Sequence, residues 1–242
     1  MSLETDNWPF RLVHFFGPDG SGKSTQADIL VKVLRKCGVR AEKFWIRSPH
    51  TLAFLLWRLL VKIGFYRAVS NPFGVSIKLP AVDRSRSLRL FWSLTEFFSV
   101  LPLIMRCRFL MWRGYVLVAE RHILDTVTTI AYFLDDLEFL SSKISRLLFC
   151  FIPKDTVFIF LDSDYETIFH RRAPLFDASV SKPKRRVYGS IPKLAVEPKE
   201  FINFQRSAYR ALAKSFNALE IDASTCSIKE TSNIILKYLR LS

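Results

Sequence analysis

Several things this chain lacks narrow what it can be. Its four cysteines, Cys37, Cys107, Cys150 and Cys226, lie far apart and form no Cys-x-x-Cys pair. That spacing argues against a zinc site and fits buried thiols in a reducing cytoplasm, the expected location. Residues 1–11 show no basic-then-apolar signal-peptide pattern, so nothing points to secretion. No apolar stretch reaches the roughly 20 residues of a membrane span without interruption. The most apolar segment, Ser85 to Arg113, carries Glu96 and holds Pro102. No Asn-Lys-x-Asp signature for reading guanine is present, and no internal repeat. Acid is scarce, with 22 Asp and Glu against 36 Lys and Arg, a net charge of +14 that asks for an acidic partner. Nucleic acid, an anionic membrane and phosphorylated substrates all meet that demand.

What is present centres on Gly17-Pro18-Asp19-Gly20-Ser21-Gly22-Lys23-Ser24-Thr25, a match to the phosphate-binding pattern of Gly, four residues, then Gly-Lys-Ser/Thr. Ahead of it, Leu12 to Phe16 reads as a short buried strand. Behind it, Ala27, Leu30, Val33 and Leu34 fall at helical spacing. Glycines allow backbone N–H groups to curl around phosphate oxygens, and the helix end adds partial positive charge. Lys23 reaches the β- and γ-phosphates as a point charge, and the Ser24 hydroxyl is suited to Mg²⁺. The pattern in this context predicts binding of a nucleoside triphosphate.

Half the residues are apolar, and 242 residues suit one α/β domain, with or without an inserted lid. The first helix is expected to end at Cys37-Gly38, and Val39 to Ile46 forms the second strand. Thr51 is the expected N-cap of a helix over Leu52 to Lys62. Asn71-Pro72-Phe73-Gly74 signals a turn, and Val75 to Val82 reads as loop. A long helix over Ser85 to Arg113 is expected, kinked or broken at Pro102. Its stripe Phe91, Leu94, Phe98 and Leu101 is suited to face the sheet, while Trp92, Phe97 and Val100 then need other cover. A two-fold dimer is the favoured cover and a bilayer surface the less favoured one. Tyr115 to Ala119 is a third strand that delivers Glu120-Arg121-His122, followed by a helix with Asp125 at its N-cap and another over Phe139 to Phe151. Val157 to Leu161 is a fourth strand ending at Asp162, then a helix over Tyr165 to Arg172. Residues 173–198 are rich in Pro, Ser, Lys and Arg and lack periodicity, as functional loops do. A helix over Glu200 to Phe216, a fifth strand over Leu219 to Ile221 and a helix over Ile228 to Leu239 complete the chain. Alternating strands and helices predict a doubly wound parallel five-stranded sheet, with ligands at the carboxyl ends of the strands.

Over nearly its whole length the chain resembles the thymidylate kinase family of nucleoside monophosphate kinases. The resemblance rests on the phosphate loop with Asp19 inside it and Lys23-Ser24-Thr25-Gln26 after it. It rests also on Arg47-Ser48-Pro49 after the second strand, Glu120-Arg121-His122 after the third, and Phe160-Leu161-Asp162 ahead of a helix ending Arg171-Arg172. Ile221-Asp222-Ala223-Ser224 matches the closing strand and adenine-side loop. The resemblance implies a single P-loop kinase domain over 1–242 with a basic lid at about 173–198, Mg²⁺ as cofactor, and ATP as phosphoryl donor to a nucleoside monophosphate, dTMP first among them. It implies catalytic roles for Lys23, Arg121, Arg47 and Arg172. It places Gly17, Asp19, Gly20, Ser21, Gly22, Lys23, Ser24, Thr25, Arg171 and Ser224 at ATP, and Asp19, Arg47, Phe91, Arg121 and Asp125 at the acceptor. Metal falls to Ser24, with Glu120 acting through water; Glu120 reads equally as an acid that fixes the loop or pairs with Arg121. Asp19 has a second reading as a turn residue. Gly20 and Ser21 stand where some members carry an arginine, which implies a lid arginine, Arg172, Arg185 or Arg186, in its place. Lys182-Pro183-Lys184-Arg185-Arg186 also reads as a solvated charge run or a nucleic-acid patch. The family's dimers through helices in the Leu90 to Leu101 region add to the dimer expectation.

The chain departs from the family on the acceptor side. Thr95 stands where the family's arginine follows Phe91, Glu120 replaces Asp, and Asp125 stands where serine is common. A different small acceptor, or an NTP-dependent nucleic-acid-binding module, is the alternative. No stable nucleic-acid complex is expected, because the aromatics look buried rather than interleaved with the basic residues.

Overall fold

The structure, a computed structural model, describes residues 9–46, 48–70, 72, 76–173 and 197–241. Its central strand is β1 (Leu12–Phe16), buried at every position, as a parallel strand covered on both faces must be. The phosphate loop leads into α1 (Lys23–Lys36), followed by β2 (Ala41–Phe44), α2 (Thr51–Lys62), β3 (Tyr66–Ser70), β4 (Ser76–Pro80) and α3 (Arg86–Trp112). Then come β5 (Val116–Ala119), α4 (Ile123–Leu134), α5 (Lys143–Phe149), β6 (Thr156–Asp162), α6 (Tyr165–Arg172), α7 (Lys199–Ser215), β7 (Leu219–Asp222) and α8 (Ile228–Tyr238).

Five strands form one parallel sheet in the order β2-β5-β1-β6-β7, with His14 level with Ala119 on one side and Phe158 on the other. The sheet is doubly wound, as the alternation of elements predicts. The period of two along β1 divides the core. Val13 and Phe15 pack with Leu30 and Leu34 of α1 and Ile235 of α8, while Leu12 packs with Trp92 and Ile104 of α3 and Val127 of α4. Phe16 joins Phe160, Tyr209 and Leu212 beneath α7. The chain crosses back at the carboxyl edge of β1, so the loop after β1, the end of β5 and the end of β6 converge there.

The structure corrects several local expectations. Residues 76–80 are not loop: β4 pairs antiparallel with β3 in a separate two-stranded sheet. Trp57 Nε1 of α2 donates to the Lys78 carbonyl at 2.8 Å, a tertiary anchor that local turn chemistry does not reveal. His50, not Thr51, is the N-cap of α2. The segment expected as one helix over 139–151 is a 3₁₀ turn at Leu137–Ser141 followed by α5. Asp125 is not an N-cap but lies in the first turn of α4, where its carboxylate accepts from the backbone N–H of His122 at 3.2 Å.

The largest correction concerns α3, which runs unbroken for 27 residues through Pro102. Pro102 is exposed, so the carbonyl it leaves without an intrahelical partner sits on the solvent side, while Val100 and Ile104 hold the inner side to the core. The faces are the reverse of the expected ones. Trp92, Phe97 and Val100 are buried, and Phe91, Leu94 and Phe98 are exposed. Trp92 stacks edge-on against Phe133 of α4, with ring centroids 5.3 Å apart. By length and hydropathy α3 could cross a bilayer, but its inner side is part of the core under the sheet.

Candidate active site

The loop between β1 and α1 depends on three glycines in the left-handed region. Gly17 has φ 143°, and a Cβ there would stand 2.2 Å from the Leu161 carbonyl oxygen of β6. At Gly20, φ 99°, a Cβ would meet Ile168 Cγ2 at 2.9 Å and Arg172 Cδ at 3.0 Å. Gly22 caps α1 with φ 94° and faces open space. No acid occupies the first turn of α1, so its N-terminal charge is available to an anion. Ser21 Oγ is buried with no hydrogen-bond partner among the described residues, an orphaned polar atom within the loop. Lys23 is nearly buried and donates to the carbonyls of Gly17 at 2.7 Å and Pro18 at 2.6 Å. Ser24 and Thr25 are exposed at the helix start.

Arg121, at the end of β5, is the second buried cation. It is ion-paired to Asp19 of the loop, and its Nη1 lies 3.3 Å from Asp125 Oδ1. Asp19 is also 3.8 Å from Lys23 Nζ. The carboxylate thus joins the two cations expected to carry the chemistry. Asp125, expected at the acceptor, is instead sealed below Arg121 at 1% exposure. Tyr209 Oη of α7 donates to it at 2.9 Å, and His14 Nε2 of β1 lies 3.2 Å from its other oxygen. Burial pushes its carboxyl up, but the hydrogen bond with His14 and the nearby Arg121 charge outweigh that and hold it below the usual range. Burial, aided by the neighbouring His14, pushes His122 down to about 3. Glu120 pairs with Lys43 at 3.2 Å, so its expected partner Arg121 is replaced by a lysine of β2. Among the described residues no cluster of three potential metal ligands occurs. The exposed Ser24 hydroxyl at the start of α1 fits the sparse protein contribution that Mg²⁺ takes beside phosphate oxygens.

On the other side of the loop, Arg172 lies over Gly20, as the contact at Cδ shows. Arg171 donates to the Ala223 carbonyl at 2.6 Å, and Ser224 Oγ accepts from the Asp164 backbone N–H at 3.0 Å. Arg171, expected at ATP, is therefore held against the expected adenine-side loop that carries Ser224. Asp162, at the end of β6, is gripped by Arg206 at 2.8 Å and Arg210 at 2.6 Å. Burial raises its carboxyl, and these arginines more than reverse that. The sequence reading missed this clamp, although two arginines four apart on one helix and an acid at a strand end are its visible parts.

Beside Arg121 opens a cavity of about 50 Å³, lined by Ser48, Pro49, Thr129, Tyr132, Phe133, Phe201 and Gln205, with Val69 and Leu79 from the small sheet. Glu197 and Pro198 line it too, so the end of the expected lid segment borders the cavity. Tyr132 and Phe201 rings stand 4.4 Å apart, and the buried Gln205 amide oxygen has no partner among the described residues. Sequence reading missed these groups because helical spacing marks them as core. Phe91 does not line the cavity; it is 55% exposed on the outer face of α3. Arg47, Arg185, Arg186 and the rest of 174–196 lie outside the described residues.

No family model matches the chain, and no curated protein matches it. Solved structures do. The chain is similar to a thymidylate kinase from Candida albicans, at 16% identity over 96% of this chain and 91% of that one, with a TM-score of 0.53; that structure is described as revealing an origin of broad substrate specificity and a novel structural element. It is also similar to a thymidylate kinase from Ehrlichia chaffeensis, at 17% identity over 95% and 97%, with a TM-score of 0.49. The chain has a thymidylate kinase-like fold of the nucleoside monophosphate kinase type.

Proposed function

We propose that this chain transfers the γ-phosphoryl group of ATP to a nucleoside monophosphate, with dTMP giving dTDP as the first acceptor to try. The observation that carries the reading is Arg121. It is ion-paired to Asp19 in the phosphate loop and lines the neighbouring cavity, so one cation serves both the donor and the acceptor side. In this reading the loop N–H groups and the α1 N-terminus hold the β-phosphate. Lys23 leaves the carbonyls of Gly17 and Pro18 for the β- and γ-oxygens. An oxygen of the acceptor phosphate attacks the γ-phosphorus, the bond to the β–γ bridging oxygen breaks, and ADP leaves. Arg121 steadies the charge on the transferring group from the acceptor side and Arg172 from above Gly20. Mg²⁺, when bound at Ser24, neutralises phosphate charge and orients the donor oxygens.

Tyr132 and Phe201, tilted 58° to one another, give the cavity an aromatic wall against which an acceptor's apolar part can rest, and the Gln205 amide oxygen, unpartnered among the described residues, offers it an acceptor. Thr95 and the sealed Asp125 leave the acceptor's identity to this cavity. The test is ADP release measured across nucleoside monophosphates, nucleosides and phosphosugars. Turnover restricted to monophosphates supports the reading, with dTMP the expected best. Selective turnover of a phosphosugar would assign the same fold to another small acceptor. Arg121→Ala should lower kcat by about 100- to 1000-fold, the cost of a lost transition-state donor.

A further inference from the structure

His14 of β1, Asp125 of α4 and Tyr209 of α7 lie beneath Arg121, each at most 1% exposed, and none of them lines the cavity. His14 is the one polar residue of β1, and its neighbours in register are Ala119 and Phe158. Burying an imidazole there is costly, and the partner that offsets the cost is Asp125. His14 Nδ1 has no partner among the described residues, so the hydrogen bonding of the ring rests on Nε2, 3.2 Å from Asp125 Oδ2.

The Asp125 carboxylate is filled. Oδ2 accepts from His14 Nε2 and from the His122 backbone N–H, each at 3.2 Å. Oδ1 accepts from Tyr209 Oη at 2.9 Å and from Arg121 Nη1 at 3.3 Å. Two donors on each oxygen occupy the roughly four lone-pair sites of a carboxylate, and they come from β1, the start of α4 and α7, which fixes its rotation. The other partner of Arg121 differs in kind. The Asp19 side chain sits in the phosphate loop at Arg121 Nη2, is 14% exposed against 2% for that of Asp125, and lies 3.8 Å from Lys23. An acceptor phosphate beside Arg121 competes for Nη2 with a partner that can turn away, whereas Nη1 stays on one that cannot.

We propose that Tyr209 and His14 are positioning residues for phosphoryl transfer: through Asp125 they hold one edge of Arg121 fixed while its other edge exchanges Asp19 for the acceptor's phosphate. A donor already aimed before the charge develops needs no reorganisation in the transition state, and its own supporting shell decides how well it is aimed. The kinetic consequence rests on the kinase reading; the anchoring of Arg121 does not. A purely structural role would place the value of Tyr209 in its ring, which packs with Phe16 at 5.7 Å and Phe160 at 6.3 Å between centroids. Tyr209→Phe keeps that ring and removes only the hydroxyl.

The test compares kcat, the KM for ATP and urea stability in the full chain. Tyr209→Phe should lower kcat about 10- to 100-fold, the range typical of outer partners that orient a reacting group, and leave the KM for ATP unchanged. His14→Phe should lower kcat likewise, and His14→Gln, whose amide nitrogen replaces Nε2 as donor, should restore part of it. In an Arg121→Ala background Tyr209→Phe should have no further effect, because its action passes through Arg121. The reading without turnover is ¹⁵N NMR of the Arg121 guanidinium: its rotation should be slow in the wild type and at least about ten-fold faster in Tyr209→Phe. Unchanged kcat or unchanged rotation in a folded Tyr209→Phe overturns the proposal, as does an equal fall in kcat with and without Arg121. A wild type that transfers nothing, while Tyr209→Phe still frees Arg121, refutes the kinase reading and leaves the anchoring in place.

Discussion

Glu96 gives the chain a measurable dependence on pH. It lies on the inner side of α3 at 1% exposure, with Ser48 beside it. Burial raises its pKa from 4.5 to about 8, and the Ser48 hydroxyl offsets only part of that. At neutral pH the folded chain therefore holds Glu96 protonated, whereas the unfolded chain ionises it. A folded pKa above the unfolded one means that the folded state binds more protons between the two values. Stability then falls as pH rises from about 4.5 to about 8 and levels off beyond. With about 1.4 kcal/mol for each pKa unit, the loss is about 3 kcal/mol at pH 7 and about 5 kcal/mol above pH 8.

Glu96→Gln keeps the shape and removes the proton equilibrium. It should leave stability unchanged near pH 4, where both states are neutral in the wild type, and raise it by about 3 kcal/mol at pH 7. Urea unfolding of both proteins across that range gives the difference directly. Two parallel stability curves, or a variant less stable than wild type at pH 7, would refute the reasoning. Either result would mean that Glu96 is ionised in the fold and compensated by a cation.

Asp125→Asn should cost about 1–3 kcal/mol at pH 7, because Arg121 keeps Asp19 but loses one of its two carboxylates, and the His122 backbone N–H loses its acceptor where an amide nitrogen replaces the second oxygen. The folded pKa of Asp125 is depressed, so its contribution is present above the ordinary aspartate range and is lost as pH falls through the folded value. The gap between variant and wild type should accordingly close in acid, and a gap independent of pH would count against the network. Gly17→Ala and Gly22→Ala both meet positive φ, a strain of roughly 1–3 kcal/mol. Only Gly17→Ala also drives a Cβ onto the Leu161 carbonyl, so urea unfolding should show it the more destabilised, and equal losses would contradict the close approach.

The phosphate loop was legible in the sequence because its demands are local: a buried strand, glycines at fixed offsets and a helix start. The sheet followed from the alternation of elements, and its ends brought Arg121, Asp162 and Ser224 to the expected edge. What failed was what tertiary contacts decide. The direction of α3 turned on which of two apolar stripes fits the sheet, and both Trp92 and Phe91 satisfy helical spacing. Asp125 looked available because its position beside the Arg121 motif is visible, whereas its burial comes from His14 and Tyr209, 111 and 84 residues away in the chain. The β3–β4 pair is held from α2 and gave only a weak local pattern. The cavity aromatics Tyr132 and Phe201 come from helices on either side of residues 135–198, and no spacing rule joins them.

The central claim is phosphoryl transfer at the Gly17–Thr25 loop. The most direct measurement follows the label of γ-phosphate-labelled ATP into dTDP, in the presence of Mg²⁺ and dTMP, for the wild type and for Lys23→Ala. The account predicts labelled dTDP from the wild type and none above background from a variant that keeps the wild-type fold. Equal transfer by the two proteins, or no labelled product from the wild type with any nucleoside monophosphate, would contradict it.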